Sequence, residues 1–257
     1  AFTRQQLSDH RSKNYVNAAT TVIVGGSFNE EETIKKIETA FSALSSTAKQ
    51  GRPPVSESQS APAIATIFKE TDQTHLVIGV RTFSVFDARI PALTVLSTIL
   101  GKGMSSRLFT RMREELGICY YIRTSADSFT DHGNLTISAG VDNSRVEEGI
   151  KGILGECKRL KDELISPAEL KKAKDYIAGT TMLEMETSDA RAQFFGFEEV
   201  IKHQLESPDE IIAKINAVTS KDVQKLAGEI FTDKGLNMAV VGRFKDSGVF
   251  KEYFTLE

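Results

Sequence analysis

Two cysteines in 257 residues, no tryptophan, no long apolar run and no excess of either charge are the first absences in this sequence. Cys119 and Cys157 have neither the number nor the spacing of a disulfide framework or a zinc knuckle, and read as inert thiols. The longest apolar stretches, such as residues 90–100, fall far short of the ~20 residues that cross a bilayer, so no membrane span is expected. Thirty-two basic side chains face 35 acidic ones, and a net charge of −3 leaves no electrostatic footprint for nucleic acid. The opening Ala1-Phe2-Thr3 has no basic segment and no cleavage signal, and so indicates no compartment. What is present, 40% hydrophobic and 26% charged residues, is ordinary for a globular chain long enough to bury a core without staples.

Local signals divide the chain into elements. Thr3 followed by Gln6 has capping-box spacing and predicts a helix to about Lys13. Residues 20–25 (TTVIVG) are β-branched and predict a strand. Asn29 before three glutamates predicts a second helix, whose apolar stripe is Ile34, Ile37, Phe41 and Leu44. Residues 45–62 are rich in serine and proline with almost no large apolar side chain, and read as a linker. Beyond it, residues 63–69 and 74–83 predict strands, 86–101 an apolar helix, and 105–116 a helix capped by Ser105 or Ser106 and ended by Gly117. Strands follow at 118–126 and 134–139, then a long helix at 144–164. Ser166-Pro167-Ala168-Glu169 is a strong helix start. Helical patterns fill most of 169–231 with breaks near Pro208 and Thr219, a strand occupies 237–241, and a last helix is expected over 246–254. The short connection between 118–126 and 134–139 requires antiparallel pairing, which leaves the helices largely to one face. The expected fold class is α+β, an antiparallel sheet covered by helices on one face.

The start of the chain resembles its end. A shift of 216 residues places Thr3 on Thr219, Leu7 on Val223, Tyr15 on Phe231, Val24 on Val240, Gly26 on Gly242 and Phe28 on Phe244. Helix, strand and helix recur at the same intervals, as duplicated architecture would give. The division expected is 1–47 as the C-terminal end of a first repeat, 48–62 as linker and 63–257 as a complete second repeat.

Residues 101–134 read GKGMSSRLFTRMREELGICYYIRTSADSFTDHGN. This stretch resembles the C-terminal repeat of the pitrilysin/insulinase family of zinc peptidases, including the bacterial processing-type members. The resemblance rests on a glycine-serine turn and short helix before an Arg-x6-Tyr pair around a Leu-Gly turn. Here that pair is Arg113 and Tyr120, with Glu115-Leu116-Gly117 between them. It continues through Asp131-His132-Gly133, the helix start at Ser166 and the strand at 240–242, and so covers nearly the whole chain.

The resemblance implies a two-repeat metallopeptidase-like fold whose zinc site lies on the N-terminal repeat, in an inverted H-x-x-E-H helix. It implies that the C-terminal repeat closes over the substrate, with Arg113 and Tyr120 holding the peptide backbone and the oxygen that becomes negative in the transition state. It implies a zinc metallo-endopeptidase acting on peptides or unfolded segments, with zinc in the intact enzyme and none in this chain. His10, His75, His132 and His203 stand apart, with no two four residues from each other, and residues 94–100 (TVLSTIL), at the position of the zinc helix, offer no ligand. Expected partners are a peptide substrate and the zinc-binding repeat or partner subunit, with homo- or heterodimers open, and neither nucleic acid nor a membrane span. The alternative is a non-catalytic peptide-binding or partner subunit of a processing-peptidase-like heterodimer.

Read without the resemblance, Arg113 sits on a solvated helix face and Tyr120 alternates with Ile118 and Ile122 as half-core sheet packing. Asp131-His132-Gly133 reads as a hairpin turn, residues 184–191 as helix surface, and Phe194-Phe195-Gly196-Phe197 as core or packing between repeats. An edge strand beside Tyr120, if free, would accept an extended peptide through main-chain hydrogen bonds.

Overall fold

The structure is a computed structural model that describes residues 2–49 and 51–256; Ala1, Gln50 and Glu257, which fall at or within the expected repeat and linker bounds, lie outside the described residues. The chain forms two compact units, one of residues up to Pro54 with Met182–Glu206, the other of Val55–Thr181 with residues from Ser207 on.

The second unit is built on a five-stranded sheet. Its strands are β1 (Ala63–Phe68), β2 (Gln73–Thr82), β3 (Cys119–Ser128), β4 (Gly133–Asp142) and β5 (Asn237–Gly242), in the spatial order β1-β5-β2-β4-β3. The class is α+β as expected, but the sheet is mixed. β2, β4 and β3 pair antiparallel, as do β2 and β5, whereas β1 and β5 run parallel. The cause is non-local: β5 arrives from the far end of the chain and inserts between β1 and β2, and so must run against one and with the other.

Alternation along the strands separates two faces. Leu76, Ile78 and Val80 of β2, Leu135, Ile137, Ala139 and Val141 of β4, and Met238 and Val240 of β5 are buried. They pack with apolar residues of α3 (Ile90–Gly101), α4 (Val146–Asp162) and α8 (Ser220–Ile230) in one core. A buried polar pair pins α3 to β3: the Thr124 hydroxyl donates to the Ser97 carbonyl at 2.7 Å. The other face is largely open. Reading across the strands by register, it presents the row Val241, His75, Gly140, Tyr121, then the row Ala65, Ala239, Val77, Ser138, Arg123.

Helix starts follow the caps. Ser166 accepts the Glu169 amide at the head of α5 (Pro167–Glu184), and Ser207 and Glu210 form a capping box at α7 (Pro208–Ala217). Part of the expected linker is pinned to this unit. Val55 donates its amide to Asp131 at 2.9 Å, Glu57 pairs with Arg81 at 3.0 Å, and Gln59 bonds Asn237. The helix expected over 246–254 shrinks to a single tight turn, Ser247–Phe250, capped by Asp246.

In the first unit, α1 (Arg4–Asn14) begins with the Thr3/Gln6 capping box and α2 (Glu30–Phe41) with Asn29. Neither helix has a buried residue. Residues 20–25 form no strand, because no partner among the described residues pairs with their backbone. Ile23 instead presses on Gly196 of α6 (Ser188–Phe197), where a Cβ would sit 2.5 Å from its Cδ1. Of the two expected roles, core or packing between repeats, Phe195 and Phe197 do not take the first: both are exposed, and only the Gly196 side of that helix is covered. No helix among the described residues is long and apolar enough to cross a membrane.

Candidate functional site

The site expected from the sequence lies where α3 gives way to β3. Residues 109–115 form a widely wound helical turn, in which the Leu116 amide reaches back five residues to the Arg111 carbonyl at 3.1 Å. Gly117 then turns the chain into β3 with φ of +62°, a conformation that glycine adopts without strain. The turn is tied down at its start. Arg107 grips Glu169 with two parallel hydrogen bonds of 2.7 and 2.9 Å, and this holds the Glu169 carboxyl below its ordinary range although burial pushes the other way.

β3 opens with a bulge. Cys119 pairs with Val141 and Tyr121 with Gly140, so Tyr120 is the extra residue. Regular alternation would put Tyr120 beside the buried Ile118 and Ile122. The bulge breaks that alternation, and Tyr120 is 70% exposed and Tyr121 38% exposed. The half-core reading of Tyr120 is corrected for this reason.

Arg113 and Tyr120 are brought together through the backbone. Arg113 Nη1 donates to the Tyr120 carbonyl at 2.6 Å, and the guanidinium carbon lies 5.3 Å from the centre of the Phe109 ring. Arg113 thus holds the bulged peptide that displays the tyrosine. It also influences Cys119, whose thiol burial pushes up while the nearby positive charge pulls it down. The Tyr120 hydroxyl has no partner among the described residues, and Arg113 pairs with no carboxylate among them. Arg113 keeps further N–H donors. β3 ends the sheet, and no strand among the described residues pairs with its outer edge.

Three neighbouring side chains escaped the sequence reading. The Tyr121 hydroxyl lies 3.1 Å from His75 Nδ1, with the two rings 6.2 Å apart. Tyr121 reaches His75 across Gly140, where a Cβ would stand 2.6 Å from the tyrosine ring. Arg123 follows on the same face two residues along β3. The signal available was the Tyr120-Tyr121 doublet between Cys119 and Ile122, which breaks strict alternation.

Each of the four histidines has its own local surroundings. His10 contacts Asn14 on α1, His75 contacts Tyr121, His132 stacks on Phe129 and bonds Asp131 at 2.8 Å, and His203 has φ of 53° at a helix end. No group of three or more histidine, cysteine, aspartate or glutamate residues that could hold a metal occurs among the described residues. The donors among the described residues do not fit a zinc site.

Comparison with known proteins shows the family of the chain. The chain is 34% identical over 165 residues, 64% of its length, to the uncharacterized zinc protease YmxG of Bacillus subtilis. It is 27% identical over 252 residues, 96% of its length, to an uncharacterized zinc protease of Streptomyces coelicolor. It spans only 40% and 55% of those two proteins. The same fold occurs in a protease from Helicobacter pylori, with a TM-score of 0.83 at 20% identity over 93% of this chain and 59% of that one. It also occurs in a peptidase M16 inactive domain from Pseudomonas fluorescens, with a TM-score of 0.80 at 17% identity over 95% of this chain and 58% of that one. The family model described as the peptidase M16 inactive domain matches residues 1–177, and the chain therefore belongs to that family.

Proposed function

We propose that this chain is the substrate-clamping C-terminal region of a zinc metallo-endopeptidase acting on peptides or unfolded segments. In this reading zinc is bound by a separate repeat or partner subunit, and this chain alone does not hydrolyse peptides. Residues 1–47 are the end of a first repeat, 48–62 a linker and 63–257 a second repeat. Zinc held in the other part would supply polarisation of the scissile carbonyl and activation of water. Tyr120 and Arg113 act from this side, with the phenol and the remaining guanidinium N–H groups as fixed donors for the peptide backbone and the developing oxyanion. The outer edge of β3 offers main-chain groups to an extended peptide, so selectivity rests on side-chain pockets.

The observation that supports the reading best is the bulge. A 70% exposed tyrosine, displayed by an irregular strand and held through its own carbonyl by an arginine, is costly to maintain for packing alone. The test combines the chain with its zinc-bearing part. Arg113→Ala and Tyr120→Phe should each lower turnover by ~10²–10³ while zinc content stays constant. Unchanged kinetics in both variants removes the proposed roles. Zinc-dependent cleavage by this chain alone would contradict the assignment of the metal elsewhere, and absence of zinc from the whole assembly would favour a binding or partner subunit.

A further inference from the structure

The arginines of the second unit divide into two groups. Arg81, Arg89, Arg107, Arg111, Arg145 and Arg159 each pair with a carboxylate. Arg113, Arg123 and Arg243 have no carboxylate partner among the described residues, and the first two flank the Tyr120-Tyr121 doublet. Surface arginines on a chain with 35 acidic side chains readily find partners, and here most do. Of the three that do not, Arg113 and Arg123 stand at either side of the candidate site and bring positive charge to it.

The sheet arranges that charge for a ligand. Arg123 and Tyr121 are two residues apart on one strand and share a face, which separates them by roughly 7 Å. Ser138, small and uncharged, is the neighbour of Arg123 across β4, and Gly140 the neighbour of Tyr121. Behind them stands His75, fixed by the tyrosine hydroxyl through Nδ1, with its Nε2 unpartnered among the described residues. Asp127, the acidic residue further along the same face of β3, already accepts from the Ser125 hydroxyl at 3.2 Å.

Resting on the peptide-clamping reading, the geometry points to a carboxylate-receiving subsite: Arg123, walled by the Tyr121–His75 pair, takes an acidic side chain of the peptide close to the bond held at Tyr120. Arg123 is the specificity-determining residue, supplying a planar two-donor fork that fits a carboxylate. Tyr121 and His75 are positioning residues that stop the fork from folding down over Gly140. The contact is made equally in ground and transition states, so it lowers KM and leaves kcat unchanged.

The test uses the zinc-loaded assembly and a neutral peptide in which one glutamate is moved through each position, with glutamine at the same place as control. At one register the glutamate peptide should show a KM roughly fivefold below its glutamine partner, the size of a well-formed exposed ion pair, and the difference should shrink as salt rises. Arg123→Gln should erase that difference, and Arg123→Lys should restore part of it. Equal KM values at every register, or a preference that survives Arg123→Gln, overturns the subsite while leaving the clamp intact. Failure of the zinc-loaded assembly to cleave any of the peptides overturns the clamp, and the subsite with it.

Discussion

Residues 3–28 and 219–244 are the same succession of local structures in two different states. α1 and α8 are eleven residues each, both begin at a threonine closed by a capping box, and both are followed by a three-residue tight turn. Their C-caps match closely, with φ and ψ of −94° and 74° at Tyr15 and −86° and 83° at Phe231. In the second copy Val223, Leu226, Ala227 and Ile230 are buried, and the segment that follows is β5, bonded on both sides. In the first copy α1 buries nothing, and residues 20–25 pair with no strand among the described residues. Caps and turns are written in a few adjacent residues and form wherever those residues occur. Burial and a strand ladder need partners from elsewhere in the chain or assembly.

The largest test of that contrast is a pair of equivalent truncations. Met238 is 3% exposed and its counterpart Val22 is 41% exposed. Met238→Ala should cost about 2–5 kcal/mol in denaturant unfolding of the second unit. Val22→Ala should stay within about 0.5 kcal/mol. Equal losses would mean that the first copy is already packed.

A next, intermediate effect sits in the Arg107–Glu169 pair. The Glu169 carboxyl titrates below its unfolded value of 4.5 because Arg107 donates to it. Its contribution to stability is therefore complete above about pH 4.5 and is lost as pH falls through the folded value. Glu169→Gln should lower stability at neutral pH and flatten the acid limb of the unfolding curve between those two values. An unchanged limb would show that the pair does not anchor the turn bearing Arg113.

The smallest effect is at the caps. Thr219→Ala should cost about 1 kcal/mol in global unfolding. Thr3→Ala should fray α1 by the same local amount, visible as lost helical signal, without moving the unfolding midpoint of the second unit. A shift of that midpoint by Thr3→Ala would show the two copies to be less separate than their burial indicates.

What could be read from the sequence follows the same division. Thr3, Asn29 and Ser166 start helices where their side chains cap them, and Gly117 ends one with the expected left-handed backbone. The alternation in β4 identified its buried face. Features made by distant residues were not readable. β5 entering beside β1 makes one pairing parallel, residues 20–25 have strand composition without a ladder, and residues 246–254 keep one turn of the expected helix. Arg113 and Tyr120 stand out in the sequence through resemblance, but their meeting is not legible there. The bulge depends on how Cys119 and Tyr121 register against Val141 and Gly140, and the reach of Tyr121 to His75 depends on a glycine on a third strand. Neither is local in sequence.

The most direct measurement is amide hydrogen exchange at Val22, Ile23 and Val24 beside Met238, Ala239 and Val240, with and without the zinc-bearing part. If residues 3–28 are the end of a duplicated unit, the first three amides exchange far faster than the second three in this chain. They then slow to comparable protection when that part is supplied. Exchange at Val22–Val24 that stays fast in the zinc-loaded, active assembly would contradict the duplication on which the placement of the metal rests.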